Sequence, residues 1–338
     1  MKAVRYYGPT EPLRLVELEQ PEPGSGEVVV RVHASGVCGT ELHFLSGLLN
    51  LGVAPITLGH EVAGVVHEVG QGVDSRWLGQ RVVVYYYVGC RDCVNCSQGY
   101  ENLCTNVKAQ YGFVSDGGFA EFIKVPTNNL VPLPPNISDD DAAPIGCAVT
   151  TALHAGRLAS IGPDDHILIY GVGAVGYGLV QLGRMLGATV IGVGRTQNKL
   201  QQAKDLGAHF VINSNEGSVV DQVLEITDGR GADAVFELVA TSETMENSIK
   251  SLGKRGRLVF IGYSSDYLNV HPIQLVVNET SVMGSVGNTL DELREAVRLV
   301  SEGKIQTVVD RTLQLEQFQE GVDALLAGTL LGRVVLKP

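Results

Sequence analysis

The chain lacks the marks of several protein classes. No uncharged apolar stretch approaches the ~20 residues that a bilayer crossing requires, so no segment reads as a membrane span. The opening residues, Met1 to Glu17, contain no apolar core of the signal-peptide kind, and a cytoplasmic location is expected. Charge of one sign never collects in a long run. The net charge of −12 is dispersed, which excludes the basic footprint of a nucleic-acid or anionic-membrane binder. No internal repeat and no low-complexity tract occurs. The 338 residues suffice for about two domains, and the 41 glycines imply many tight turns.

No cysteine is left over for a disulfide, because all six can be assigned to metal. Four stand as Cys90-x2-Cys93-x2-Cys96-x7-Cys104, a density that inert core thiols or a redox pair do not explain. Cys38 and Cys147 are distant in sequence and flank the Gly59-His60-Glu61 step. Zinc takes four protein ligands in a closed structural site and three plus an open position in a catalytic one. The count suggests one zinc of each kind.

Two textures divide the chain. Up to about Val149, short β-branched runs lie between turn signals: Glu27 to His33, Val62 to Val69, Arg81 to Tyr87 and Phe119 to Val125. That spacing predicts a sandwich or small barrel. After Pro163, strand alternates with helix. Ile167 to Tyr170 leads into a glycine loop and a helix with apolar positions Val175, Leu179, Leu182 and Leu186. The strand Thr189 to Val193, a helix around Lys199 to Leu206, and strands His209 to Ile212, Asp233 to Leu238 and Arg257 to Ile261 follow. This alternation predicts a doubly wound parallel sheet. A last helix, Asp291 to Ser301, precedes a tail whose strand-like Arg333 to Leu336 is expected to return to the first domain.

Gly171-Val-Gly173-Ala174-Val175-Gly176 follows a predicted strand and opens a predicted helix, the setting in which this spacing binds a dinucleotide. The first glycine permits the turn, the second lets a pyrophosphate approach, and the third lets helix pack on strand. The end of the next strand reads the adenosine ribose, where an acidic residue selects NAD. Here Gly194-Arg195-Thr196 stands instead. With Thr196 capping the next helix, Arg195 lies by a positive dipole end, unfavourable by ~0.3–1 kcal/mol unless an anion is bound. NADP(H) is favoured over NAD(H).

Cys38-Gly39-Thr40-Glu41-Leu42-His43, Gly59-His60-Glu61, the four-cysteine cluster, Cys147 and the glycine loop occur together in one order. In this the chain resembles the zinc-dependent medium-chain alcohol dehydrogenases, over essentially its whole length. The resemblance implies an α/β architecture. A GroES-like β-barrel catalytic domain (1–149, with a structural zinc lobe at about 89–105) joins a Rossmann domain (150–286), and 287–338 returns to the first, with the active site in the cleft. It further implies two zinc ions per chain. Cys38, His60 and Cys147 would hold the catalytic ion, and Cys90, Cys93, Cys96 and Cys104 the structural one. Thr40 corresponds to the hydroxyl that accepts the alcohol proton, and His43 to the far end of a relay through the nicotinamide ribose. Arg333 is left as the cationic pyrophosphate contact, because Gly39 stands where some members carry another.

Several positions stay open. Glu61 reads either as a group acting on the metal site, even a transient fourth ligand, or as a salt-bridged barrel carboxylate. Glu41 replaces the family's usual Asp and is expected to orient the site. The run Tyr85 to Tyr87 reads as a strand, with Tyr86 aligning with a pocket-lining aromatic. Asp139 to Asp141 reads as a solvated helix start. In the polyol branch the third ligand is usually a carboxylate, so Cys147 favours simple alcohols and their aldehydes or ketones. A polyol or sugar dehydrogenase, an NAD(H)-dependent enzyme and a non-enzymatic dinucleotide fold are the alternatives. The resemblance also implies a small-molecule substrate and a homodimer or homotetramer.

Overall fold

The computed structural model describes residues 1–338. By contact the chain divides into two compact units, Met1–Thr150 with Asn288–Pro338, and Thr151–Gly287.

The first unit is organised by the strand Glu27–Val37. Its valines 28, 29 and 30 are wholly buried, as suits β-branched residues on a packed sheet. It pairs antiparallel with Glu61–Val69, with Phe122–Pro126 and with Arg333–Lys337. The last of these pairs parallel with Val309–Gln314. The strand runs past His33, where sequence periodicity stops, because register shifts between Val32 and Ala34 absorb the irregularity. The Tyr85 to Tyr87 run departs from expectation. Arg81–Val84 belongs to the large sheet, whereas Tyr87–Val88 pairs with Ala109–Gln110. Asn129 explains the break, since its side-chain amide donates to the carbonyls of both Tyr85 and Tyr87 (2.9 and 2.7 Å). The acidic triplet does start a helix, Asp139–Pro144, capped by Ser138.

Asp291 to Ser301 is not the last helix. Phe318–Leu326 follows, with Phe318, Val322 and Leu325 against the core. Gly321 weakens its sequence signal, yet a Cβ there would meet Val334 Cγ1 at 3.1 Å, so the glycine allows helix to sit on strand.

The second unit is a six-stranded parallel sheet. Its spatial order is Phe210–Asn213, Thr189–Gly194, His166–Tyr170, Ala232–Glu237, Leu252–Phe260 and Ser281–Gly284. Ile167, Leu168 and Ile169 are wholly buried, as expected for a strand covered on both faces. The doubly wound reading holds. The edge strand Ser281–Gly284 escapes sequence reading because it is short and its Val282 is exposed, so no alternation marks it.

Candidate active site and metal centres

Strand register assembles the first cluster. Gly36 stands opposite Glu61 and Val334 opposite Val37. Cys38 therefore leaves one strand where His60 enters the second and Arg333 begins the third. Ligand atoms of Cys38, His60, Glu61 and Cys147 all lie within 4.8 Å of one another. His60, Glu61 and Cys147 are buried. A Cβ on Gly36 would strike the Glu61 carboxylate, so glycine there makes room for the acid.

Cys147 comes from elsewhere. It sits in a π-helical turn, Ile145–Val149, a distortion that frequently marks functional positions. The Thr150 hydroxyl donates to the carbonyls of Ile145 and Cys147 (both 3.1 Å), and Asn288 donates to that hydroxyl at 2.8 Å. Tyr85 in turn donates to the Asn288 carbonyl at 2.8 Å. Sequence reasoning missed this buried network, because Asn288 is far from Thr150 in the chain. Thr150→Val should lower zinc retention about 10-fold, the scale seen when partners of metal ligands are lost; competition with a chromogenic chelator measures it.

The groups of the cluster perturb one another strongly. The Cys38 thiol is drawn well below its ordinary range, first by a hydrogen bond from Cys147 and then by Arg333, while Cys147 is pushed well up. Burial pushes His60 down, but the neighbouring Cys38 and Glu41 override it and lift the ring to about 10. Cys38 also opens the helix Gly39–Ser46, whose positive end favours a thiolate. Glu41 holds this corner: one oxygen accepts the Cys38 amide at 2.7 Å, and the other lies 3.5 Å from His60 Nδ1. That oxygen and Nδ1 are both buried without a hydrogen bond. Two sulfurs and an imidazole converging at this spacing fit a tetrahedral zinc ion.

Thr40 points its hydroxyl at Cys38 Sγ across 3.7 Å, and His43 lies one turn on along the same helix face. Burial lowers the His43 pKa, so the ring is neutral near pH 7. Tyr86 is 3% exposed. Its ring packs edge-on to His60 (5.2 Å between centroids) and stacks on Phe113. It therefore supports the His60 ring more than it offers an open wall.

Arg333 differs from expectation. Its guanidinium grips Glu61 (Nε to both oxygens, 2.9 and 3.1 Å) and Cys38 Sγ (3.2 Å), through Nε and Nη2. The physical reason is Glu61, wholly buried and pushed up to about 7 by that burial, which needs a counter-charge. Of the two readings of Glu61, the geometry is that of the salt-bridged carboxylate, with its oxygens still inside the ligand cluster.

The second cluster is self-contained. Cys90 and Cys96 sulfurs are 4.0 Å apart, as are those of Cys93 and Cys104. A zinc–sulfur bond of about 2.3 Å puts tetrahedral sulfurs about 3.8 Å apart, so this spacing suits one ion. Amides of Cys90, Cys93 and Asn106 donate to the sulfurs at 3.2–3.3 Å. Backbone hydrogen bonding holds the Cys93 thiol down to about 5.

The glycine turn lies in the second unit, between the strand His166–Tyr170 and the helix Ala174–Met185. Gly171 has φ 112°, and a Cβ on Gly176 would lie 2.4 Å from the Gly171 carbonyl oxygen. Those two glycines are explained by the protein itself. Gly173 is not: a Cβ there would meet no atom within 4 Å. Its openness in front of the first free amides of a helix fits an approaching phosphate. At the next strand end a Cβ on Gly194 would crowd Val172 at 2.9 Å, and Arg195 is exposed.

Comparison with known proteins agrees. The family model for the alcohol dehydrogenase GroES-like domain matches residues 24–135, and that for zinc-binding dehydrogenases matches 174–302. An alcohol dehydrogenase of Geobacillus stearothermophilus is 34% identical over 329 residues, 97% of this chain and 96% of the relative. An NAD-dependent alcohol dehydrogenase of Sulfurisphaera tokodaii is 34% identical, with both chains fully covered. The crystal structure of the Aeropyrum pernix alcohol dehydrogenase superposes with TM-score 0.94 at 33% identity, covering 100% of each chain. The chain belongs to the zinc-dependent medium-chain alcohol dehydrogenases, a barrel-plus-Rossmann family of nicotinamide-linked oxidoreductases.

Proposed function

We propose that Cys38, His60 and Cys147 hold a zinc ion with one open position. There the enzyme interconverts a primary or secondary alcohol and its aldehyde or ketone, with NADP(H) as partner. The convergence of those three side chains beside the Thr40 hydroxyl carries this reading. Zinc held there supplies a Lewis acid that makes an alcohol acidic near neutral pH, and the nicotinamide carries the hydride.

The protein's own groups do the rest. Cys147 and His60 would give up their protons to a bound zinc ion, and two thiolates and a neutral imidazole would then balance its charge. The Thr40 hydroxyl, both donor and acceptor, takes the substrate proton as it passes its own onward. His43, neutral and half-buried, receives it. Arg333 holds Glu61 by two hydrogen bonds from Nε, which keeps the acid from occupying the open position. Cys90, Cys93, Cys96 and Cys104 bind the second zinc and take no part in chemistry. A sulfur at position 147 supports simple alcohols over polyols.

Gly171, Gly173, Ala174, Val175 and Gly176 receive the dinucleotide. Gly194 and Arg195 favour the phosphorylated form. Thr196 is the N-cap of the helix Gln197–Asp205 but makes no side-chain cap hydrogen bond, and this supports a 2′-phosphate taking that place next to Arg195 in the chain. The enzyme should show higher kcat/KM with NADPH than with NADH. Arg195→Ala should lower only the NADPH value, by about 10-fold or more, the scale of a charge-assisted hydrogen bond. Preference of the wild type for NADH, as the name of the S. tokodaii relative suggests, would overturn this assignment. Assembly as a homodimer or homotetramer is part of the same reading.

A further inference from the structure

Glu237 is wholly buried, yet no step above uses it. It ends the strand Ala232–Glu237 and pairs with Tyr170, directly before the Gly171 turn. The chain leaves His166–Tyr170 toward one side of the sheet for two strands, then returns to lay Ala232–Glu237 on the other side. Ligands of such sheets bind beyond the strand carboxyl ends at this reversal.

The carboxylate is fully engaged. One oxygen accepts the amides of Val239 (2.7 Å) and Ala240 (2.8 Å), and the other accepts the Ser248 hydroxyl (2.9 Å). These bonds hold a turn with Ala240 at φ 60°, a left-handed conformation costing roughly 1–2 kcal/mol for a residue other than glycine. The turn lies against the glycine motif: Leu238 donates to the Tyr170 carbonyl at 3.0 Å, and a Cβ on Gly171 would meet Val239 Cγ2 at 3.0 Å. Val239 nonetheless stays 40% exposed. A second brace comes from outside. Ser264 donates to the Ala240 carbonyl, and Asp266 accepts both the amide and the hydroxyl of Ser242.

We propose that Glu237 is a positioning residue for the dinucleotide: it locks the turn Leu238 to Thr241 so that Val239 forms an apolar wall beside the Gly171–Gly176 turn. This rests on the reading that the glycine turn receives the cofactor. Without the carboxylate the turn relaxes, and cofactor binding has to order it again. Affinity for the cofactor falls, while turnover at saturating cofactor stays near its original value.

NADPH titration of the full-length enzyme, followed by nicotinamide fluorescence, tests the idea in Glu237→Ala, Ala240→Gly, the double variant and Asp266→Ala. Glu237→Ala should raise the NADPH Kd about 10-fold with kcat at saturation within about twofold. Ala240→Gly in that background should recover several-fold, because glycine adopts the left-handed turn unaided. Asp266 is exposed, so Asp266→Ala folds and should raise Kd about threefold, which keeps the test alive if Glu237→Ala does not fold. Unchanged Kd with a lowered thermal midpoint, or no recovery on adding Ala240→Gly, overturns the proposal. If the wild type binds neither NADPH nor NADH, the cofactor reading and this proposal fall together. If it binds NADPH and every variant binds equally well, only this proposal falls.

Discussion

Replacing Cys147 with serine should remove one zinc ion per chain and lower kcat/KM for alcohol oxidation by about a thousandfold or more. The volume change is small, and the π-helical turn keeps its Thr150 and Asn288 bonds, so the fold survives. What goes is one of three ligands in a buried site, and with it several kcal/mol of charge stabilisation at the reacting oxygen. Cys38 and His60 remain, with Arg333 and Glu61 beside them, but a thiolate and an imidazole alone bind zinc weakly. Metal analysis with steady-state kinetics checks this, and retention of both ions at full activity would sink the assignment.

Replacing Cys96 with serine should act on stability first. Residues 90 to 104 contain only the short helix Val94–Ser97 and the 3-10 turn Glu101–Leu103. Val94 and Leu103 are exposed, so the lobe has almost no apolar core of its own. Structural zinc contributes folding free energy of about 10–16 kcal/mol in small peptides, far above any contact the lobe could make otherwise. Local unfolding of the lobe should drop the thermal midpoint by about 10 °C, with kcat at low temperature changed by less than about threefold. A scanning fluorimetry trace with a zinc count on the same sample decides it. A variant as stable as the wild type would mean the four sulfurs hold no structural ion.

The two clusters that could hold a metal were legible because zinc demands particular residue types at spacings that chance seldom supplies. The parallel sheet was legible because its buried strands, such as Ile167 to Ile169, are continuous apolar runs. What sequence could not convey was pairing at long range. Arg333 reads as a phosphate contact until register sets Val334 opposite Val37 and delivers its guanidinium to Glu61. Asn288, Thr150 and Tyr85 form one network only because the chain returns to its first unit. Glu237 carries no motif; its role appears only once the strand order is known. The break between Val84 and Tyr87 likewise depends on Asn129, more than forty residues away.

The most direct test is the zinc content of the purified chain, counted in the wild type and in the two serine variants alongside NADPH-linked turnover. The wild type should carry two ions per chain. Cys147→Ser should carry one ion and show no turnover, and Cys96→Ser should carry one ion with turnover retained. One ion or fewer in the wild type, or turnover near the wild-type rate in Cys147→Ser, would contradict the two-zinc assignment.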